Sequence, residues 1–216
     1  CCQSMGYHPL WFNSETYRLS ADEYREIMKY VEVLYNIPDI DETGRRKGKE
    51  LALTYIDIHT VWLPDWLAEY KDNRGHSRKD LRDWMALRSE KKDFKNLMAN
   101  ALPARFWVEW LTKDGKRKYE IDTACLYNFL ALNGFHALKD DSSDNPEYIY
   151  IDGNVVKKIK VGEIRQFVIK WVIDHHKGRD ILNLVLNSPR LSGAALESLG
   201  EVTLDFTDFT SQSQLF

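Results

Sequence analysis

Asp39 and Asp41 stand one residue apart at the end of an apolar run. Thr43, Gly44 and a cluster of cations follow them within YNIPDIDETGRRKGKE, residues 35–50. Carboxylates so placed could hold a hard divalent cation such as Mg2+ or Mn2+, with water and phosphate oxygens completing the shell. One of them could instead attack phosphorus while its neighbour moves a proton. Asp39, Asp41, Thr43, Gly44 and Glu50 also fall on the ligand and glycine positions of a calcium loop. The blandest reading is a polar turn, because Asp, Thr and Gly after a strand are ordinary turn formers. Arg45, Arg46, Lys47 and Lys49 begin the helix that should follow, where cations oppose the macrodipole. They suit a site at which polyphosphate or a DNA backbone arrives.

Three further groups carry possible chemistry. Lys79 and Asp80 could assist the metal or hold a phosphate, although Ser77 with Asp80 is also a helix N-cap pattern. Lys157, Lys158, Lys160 and Arg165, in VVKKIKVGEIRQFVIKW, place positive charge on a strand and the helix after it. Such a group could touch phosphates, or it could simply guard a strand edge. His175 and His176 close a helix, where a cation is favourable for the dipole, and no further ligand is near them in sequence.

The elements that must position these residues alternate in the first part of the chain. HPLWFN (8–13) reads as a short buried strand. Ser20 and Glu23 form a capping box for a helix that turns Tyr24, Ile27, Met28 and Val31 to one face. VEVLYNI (31–37) reads as the strand leading into the aspartates. A helix through Leu51, Ala52 and Tyr55 follows, then a strand DIHTVWLP (57–64). A helix from near Ser77 buries Leu81, Trp84 and Met85. This order predicts βαβ units, a parallel sheet and an α/β domain over 1–90. The charged stretch RSEKKDFKN (88–96) is the expected boundary.

Beyond it the rhythm becomes α+β. Residues 105–121 read as a hairpin about Asp114-Gly115, and 122–134 as a helix capped at Asp122 or Thr123 and stopped by Gly134. An acidic loop (139–147) leads to a second hairpin turning at Asp152-Gly153. Helices over 163–175 and near 179–187 follow. A hairpin beside a basic helix makes this second domain, 91–216, winged-helix-like in expectation.

Composition narrows the class. With 216 residues, 44% hydrophobic and 29% charged, the chain is long enough for one large or two small globular domains. A net charge of −3 leaves any nucleic-acid contact to local patches. Cys1, Cys2 and Cys125 lack ligand or disulfide spacing, so a reducing cytoplasm is the expected compartment. No apolar run of about 18 residues predicts membrane insertion. The chain opens on Cys-Cys-Gln and closes on TSQSQLF, and both ends read as cuts from a longer polypeptide.

The calcium loop is disfavoured by Arg46 at its apolar position and by the strand in place of a preceding helix. A haloacid-dehalogenase-type phosphatase would carry an apolar residue where this chain has Gly44, and its nucleophile strand opens the domain. A hydrophobic strand, Asp-x-Asp-x-x-Gly and then a helix resembles the second acidic motif of Toprim domains, found in primases and topoisomerases. The resemblance runs from about residue 5 to 85. It takes in SMGYHPLWFNSE, YRLSADEYREIMKYVEVLYNIPDIDETG, GKELALTYIDIHTVWLP and the closing RGHSRKDLRDWM. It implies a sheet with flanking helices, Asp39 and Asp41 as Mg2+ or Mn2+ ligands, and Lys79 and Asp80 in support. It also implies a catalytic glutamate on a first strand that lies before this chain. Glu15 falls too late to be that residue, so the fragment itself is expected to be catalytically incomplete.

Residues from about 125 onward resemble, without a short diagnostic motif, the region before the motor of phage-, plasmid- and poxvirus-type primase–helicases. No Gly-Lys-Ser/Thr phosphate loop occurs. The implied parent is a phage or mobile-element primase–helicase. It would make RNA primers on a DNA template from nucleoside triphosphates, beside a helicase domain of the same chain. A non-catalytic DNA-binding or assembly module on the same scaffold is the alternative from another class.

Overall fold

The computed structural model describes residues 2–12, 17–88, 90–138, 147–196 and 199–202. The chain divides into two compact units, 1–104 and 105–216.

In the first unit a 3-10 turn (Gln3–Met5) precedes α1 (Ala21–Ile27). Ser20 caps α1 as its sequence predicts. The Ser20 hydroxyl accepts from the Glu23 backbone and the Glu23 carboxylate accepts from the Ser20 backbone at 2.9 Å. Hydrogen bonds from the Ser20 hydroxyl and then the Tyr17 hydroxyl hold the Glu23 carboxyl down at about 2. Tyr24, Ile27 and Met28 are half-buried while the positions between them are exposed, which is the expected single face. β1 (Tyr35–Asn36), α2 (Glu42–Thr54) and β2 (His59–Thr60) follow. β1 and β2 pair in parallel, Tyr35 opposite His59 and Asn36 opposite Thr60.

The expected strands are far longer than these. Pro38 and Pro64 lack the N–H that a ladder needs, and among the described residues no third strand joins the pair. Val61 and Leu63 are buried in an irregular segment instead. Residues 8–12 form no strand, and Leu10, Trp11 and Phe12 are exposed rather than buried. An apolar run without a partner ladder has nothing to fix it as β. Among the described residues the predicted parallel sheet is therefore one two-residue pair.

A 3-10 turn (Asp65–Glu69) leads to α3 (Leu81–Leu87) and α4 (Lys91–Ala99). The cap of α3 is Asp80, not Ser77, which lies in a bridge with Lys71. α4 occupies the charged stretch expected to be a boundary. It sends Phe94 and Met98 into the core with Val61, Leu63, Leu67, Trp84 and Ala101. That buried face carries the first unit past residue 90.

The second unit matches its pattern closely. β3 (Trp107–Leu111) and β4 (Arg117–Ile121) form an antiparallel hairpin whose turn holds Gly115 at φ +73°. α5 (Thr123–Leu132) is capped by Asp122, which accepts from the Cys125 backbone at 2.9 Å. β5 (Phe135–Leu138), β6 (Glu147–Asp152), β7 (Val155–Ile159) and β8 (Glu201–Val202) form a sheet in the order β7-β6-β5-β8. Its pairs are antiparallel except β5 with β8. α6 (Val161–Asp174), α7 (Arg179–Asn187) and α8 (Gly193–Leu196) complete the unit. Its core is aromatic, with Phe129 4.9 Å from Phe106 and 4.8 Å from Trp171 between ring centroids. Most of the acidic loop, 139–146, lies outside the described residues.

Candidate functional site

The aspartates are held by the residues around them. Ile37 and Ile40 pack against the first unit's core. The Ile40 N–H donates to the Lys79 carbonyl at 3.0 Å, which lays the segment before α3 beside the end of β1. A Cβ on Gly44 would collide with the Asp39 carbonyl oxygen and lie 2.8 Å from the Asp39 Cβ. A Cβ on Gly48 would lie 2.7 Å from Pro38 and 3.1 Å from Trp62. These two glycines let α2 run directly against the aspartate loop. The spacing Asp-x-Asp-x-x-Gly thus has a local physical cause.

Asp41 is the N-cap of α2, its side chain accepting from the Gly44 N–H at 2.8 Å. Its second oxygen accepts from Lys79 Nζ at 2.7 Å, and Asp39 lies 3.2 Å from the same ammonium. Lys79 first and the Gly44 N–H second lower the Asp41 pKa. Asp41 and then Asp39 push the Lys79 amine upward. Lys79 is itself oriented, since its backbone N–H donates to Asp83 at 2.9 Å. The three side chains retain 26%, 38% and 45% exposure for Asp39, Asp41 and Lys79, so the group is open to solvent.

The remaining predicted residues divide. Asp80 is occupied as the cap of α3, accepting from the Asp83 N–H at 2.7 Å. Arg45 pairs with Asp65 and donates to the Ile40 carbonyl at 2.9 Å, so it braces the loop. Arg46 and Lys47 share Glu50, at 3.2 and 2.8 Å. Lys49 is exposed.

In the second unit Lys157 pairs with Glu163 at 3.5 Å and Lys158 with Glu147 at 2.7 Å. Adjacent residues of a strand point to opposite faces, so these two do not make one patch. Lys160 precedes α6, its backbone N–H held by Glu163, and Arg165 donates to the Leu186 carbonyl at 2.6 Å.

The His175 ring lies 2.9 Å from the Trp171 carbonyl and stacks on the Trp171 ring, as a structural residue does. Burial, then the nearby Asp122, pushes the Cys125 thiol up to about 12, which leaves it inert as a nucleophile.

The sequence analysis does not single out Asp83, yet its side chain is only 18% exposed and orients Lys79. Its spacing of three from the Asp80 cap was the available signal. It also missed the cleft of about 830 Å3 along α2, lined by residues that include Asp39, Thr43, Lys47 and Tyr55.

Among the described residues no group of three or more His, Cys, Asp or Glu side chains is placed to hold a metal. The fit therefore rests on the pair. Two part-exposed carboxylates turned towards one cation supply the hard oxygen donors that Mg2+ takes from a protein, with water and substrate phosphate left to complete the shell. Among the described residues no helix is long and apolar enough to cross a membrane. No family model matches the sequence, and no match was found to a curated protein or a solved structure.

Proposed function

We propose that the first unit is the acidic-motif part of a Toprim-type site for phosphoryl transfer on nucleic acid, within a primase–helicase of a phage or mobile element. The observation that carries this reading is the convergence of Asp39 and Asp41 on one cation. Asp39 and Asp41 would hold Mg2+ or Mn2+, which when bound offsets charge developing on a phosphoryl group. Lys79 keeps the two carboxylates turned to a common point. Lys47, which lines the cleft along α2, would meet the phosphates of a DNA template or nucleoside triphosphate, with the exposed Lys49 adding charge from another face of the helix. The glutamate that the resemblance also requires has no counterpart among the described residues. Primer synthesis would thus need it from elsewhere in the parent, and a winged-helix-like second unit would lead towards the helicase domain.

A second reading, a scaffold that docks DNA or partners without catalysis, is favoured by Lys79, which already pairs with both acids. Titration of the chain with Mn2+, read by electron paramagnetic resonance, separates the two. The first reading expects binding that Asp39→Asn abolishes. Unchanged binding after that substitution, or none in the wild type, would sink it.

A further inference from the structure

We propose that the outer edge of β4 is a self-pairing edge through which two copies of this chain associate. The hairpin's own ladder fixes which backbone groups face that edge. The Asp122 N–H donates to the Phe106 carbonyl at 3.0 Å, and the Thr112 N–H to the Lys116 carbonyl at 2.9 Å. Facing pairs of an antiparallel ladder alternate between those that exchange hydrogen bonds and those that do not. Val108 with Glu120 and Trp110 with Lys118 are therefore the bonded pairs between these two ends. Arg117, Tyr119 and Ile121 turn their N–H and C=O groups the other way, and among the described residues no further strand pairs with β4. An open cleft of about 630 Å3 borders β4 from Arg117 to Ile121, together with Asn183 and Asn187 of α7. An uncovered row of such groups is a template for another strand.

The occupant follows from the strand's own sequence, RKYEI. Laid antiparallel on a second copy about Tyr119, β4 sets Tyr119 against Tyr119 and Arg117 against Ile121. On both sides of that centre Lys118 faces Glu120. The outward residues then meet one another, so each exchanges its hydrogen bonds with a counterpart. Lys118 and Glu120, both exposed, fall in the non-bonded pairs, where facing side chains come closest. Opposite charges facing across strands attract, and like charges repel. Other pairings lose this match. Parallel stacking in register puts Lys118 on Lys118 and Glu120 on Glu120. Pairing β3 with itself about its central residue puts Glu109 on Glu109. The charged residues of β7, Lys157 and Lys158, are both cations and offer a copy of themselves no opposite charge. Lysines on an edge normally guard it, but on β4 the alternation of sign admits one partner, a two-fold mate. Val108 and Trp110, which face Glu120 and Lys118 within the hairpin, are 41% and 43% exposed and add apolar surface to the same joined face. A two-fold contact closes on itself, so association stops at the dimer.

Sedimentation velocity of the 216-residue chain, from micromolar to submillimolar concentration, tests this. The joined edge is short, so the dimer belongs to the weak class and should form within that range. Lys118→Glu alone, or Glu120→Lys alone, sets like charges face to face on both sides of Tyr119 and should weaken association by at least about tenfold. An equimolar mixture of the two variants restores both opposite pairs and should associate as the wild type does, which a folding defect in either would prevent. Tyr119→Pro removes an N–H that the hairpin does not use and should abolish association while the far-ultraviolet signal stays. A wild type that is monomeric throughout overturns the proposal. So does association that ignores the single charge reversals or Tyr119→Pro, or a mixture that fails to recover it.

Discussion

The two units spend their polar groups differently. In the first, Asp39, Asp41 and Lys79 come from β1's end and from the segment before α3, about forty residues apart in sequence, and meet in the open. In the second, Lys157 is answered by Glu163 on the helix that follows its strand, Lys158 by Glu147 across its hairpin, and Arg165 by the Leu186 carbonyl of the next helix. Regular structure is distributed the other way. Among the described residues the first unit has one two-residue parallel pair, while the second has a four-stranded sheet and a hairpin. A core made from Phe94, Trp84 and Leu67 fixes irregular segments well enough to aim side chains at one point. Regular structure is therefore not required to bring side chains together, because a loop anchored by Ile37 and Ile40 is as well placed as a strand.

The largest effect should come from breaking the second unit alone. Phe129 is fully buried among Phe106, Phe135's neighbour Phe167, and Trp171. Phe129→Ala should cost about 3–5 kcal/mol, read as a lower urea midpoint for the far-ultraviolet signal. Mn2+ binding at Asp39 and Asp41 should survive, since Gly44, Lys79 and Asp83, which hold the pair in place, belong to the first unit. Loss of both together would erase the contrast.

Next in size is Gly44→Ala. The new Cβ meets the Asp39 backbone, which cannot move without moving Asp41 and the start of α2. Overpacking of this kind costs about 1–3 kcal/mol, and here it should also weaken Mn2+ binding. Gly115→Ala offers the comparison in the second unit. Its turn sits at φ +73° but a Cβ there meets open space, so the cost is backbone strain of about 1 kcal/mol with no loss of metal binding.

How much of this was readable in advance follows the same division. The Asp114-Gly115 and Asp152-Gly153 turns, the Asp122 cap and the helix over 163–175 carry their instructions within a few residues, and the structure follows them. The parallel pairing of Tyr35 with His59 depends on a partner 24 positions away, which no local pattern measures. Strand lengths were overdrawn for that reason, and residues 8–12 were given a burial that they lack. The aspartates' spacing was informative because Gly44 and Gly48 leave a visible mark. Lys79's side chain was less so, since nothing local says that Ile40 would pair with its carbonyl.

Lys79→Met tests that long-range contact. The site is exposed enough that the loss in stability should stay below about 1 kcal/mol. Its pH dependence is more telling. Asp41's pKa is lowered in the fold, so its contribution is present above the unfolded carboxylate value of about 4 and fades as pH falls through the lower folded value. Lys79's is raised, so its contribution is complete below about 10.4 and fades only as pH climbs beyond that. The Asp41–Lys79 pair itself should thus add no pH dependence between these limits, and Lys79→Met should shrink the acid-side loss of the urea midpoint. The same change removes the ammonium that competes with a metal, so Mn2+ affinity should rise. A fall in affinity would make Lys79 a partner of the ligand instead of a placeholder.

The smallest effects should separate the two basic groups. Lys157 and Lys158 are 62% and 71% exposed, and their pairs with Glu163 and Glu147 are of the surface kind. Replacing both by Ala should change stability by less than about 1 kcal/mol. Because they lie on opposite faces of the edge strand β7, no single DNA backbone can meet both. Single-stranded DNA affinity should then stay nearly constant. Lys47→Ala with Lys49→Ala removes two cations from one helix beside the acidic pair. On single-stranded DNA each lost phosphate contact should flatten the slope of log affinity against log salt by about 0.7. A larger loss from the β7 pair than from the α2 pair would move the phosphate contact into the second unit and reverse the contrast.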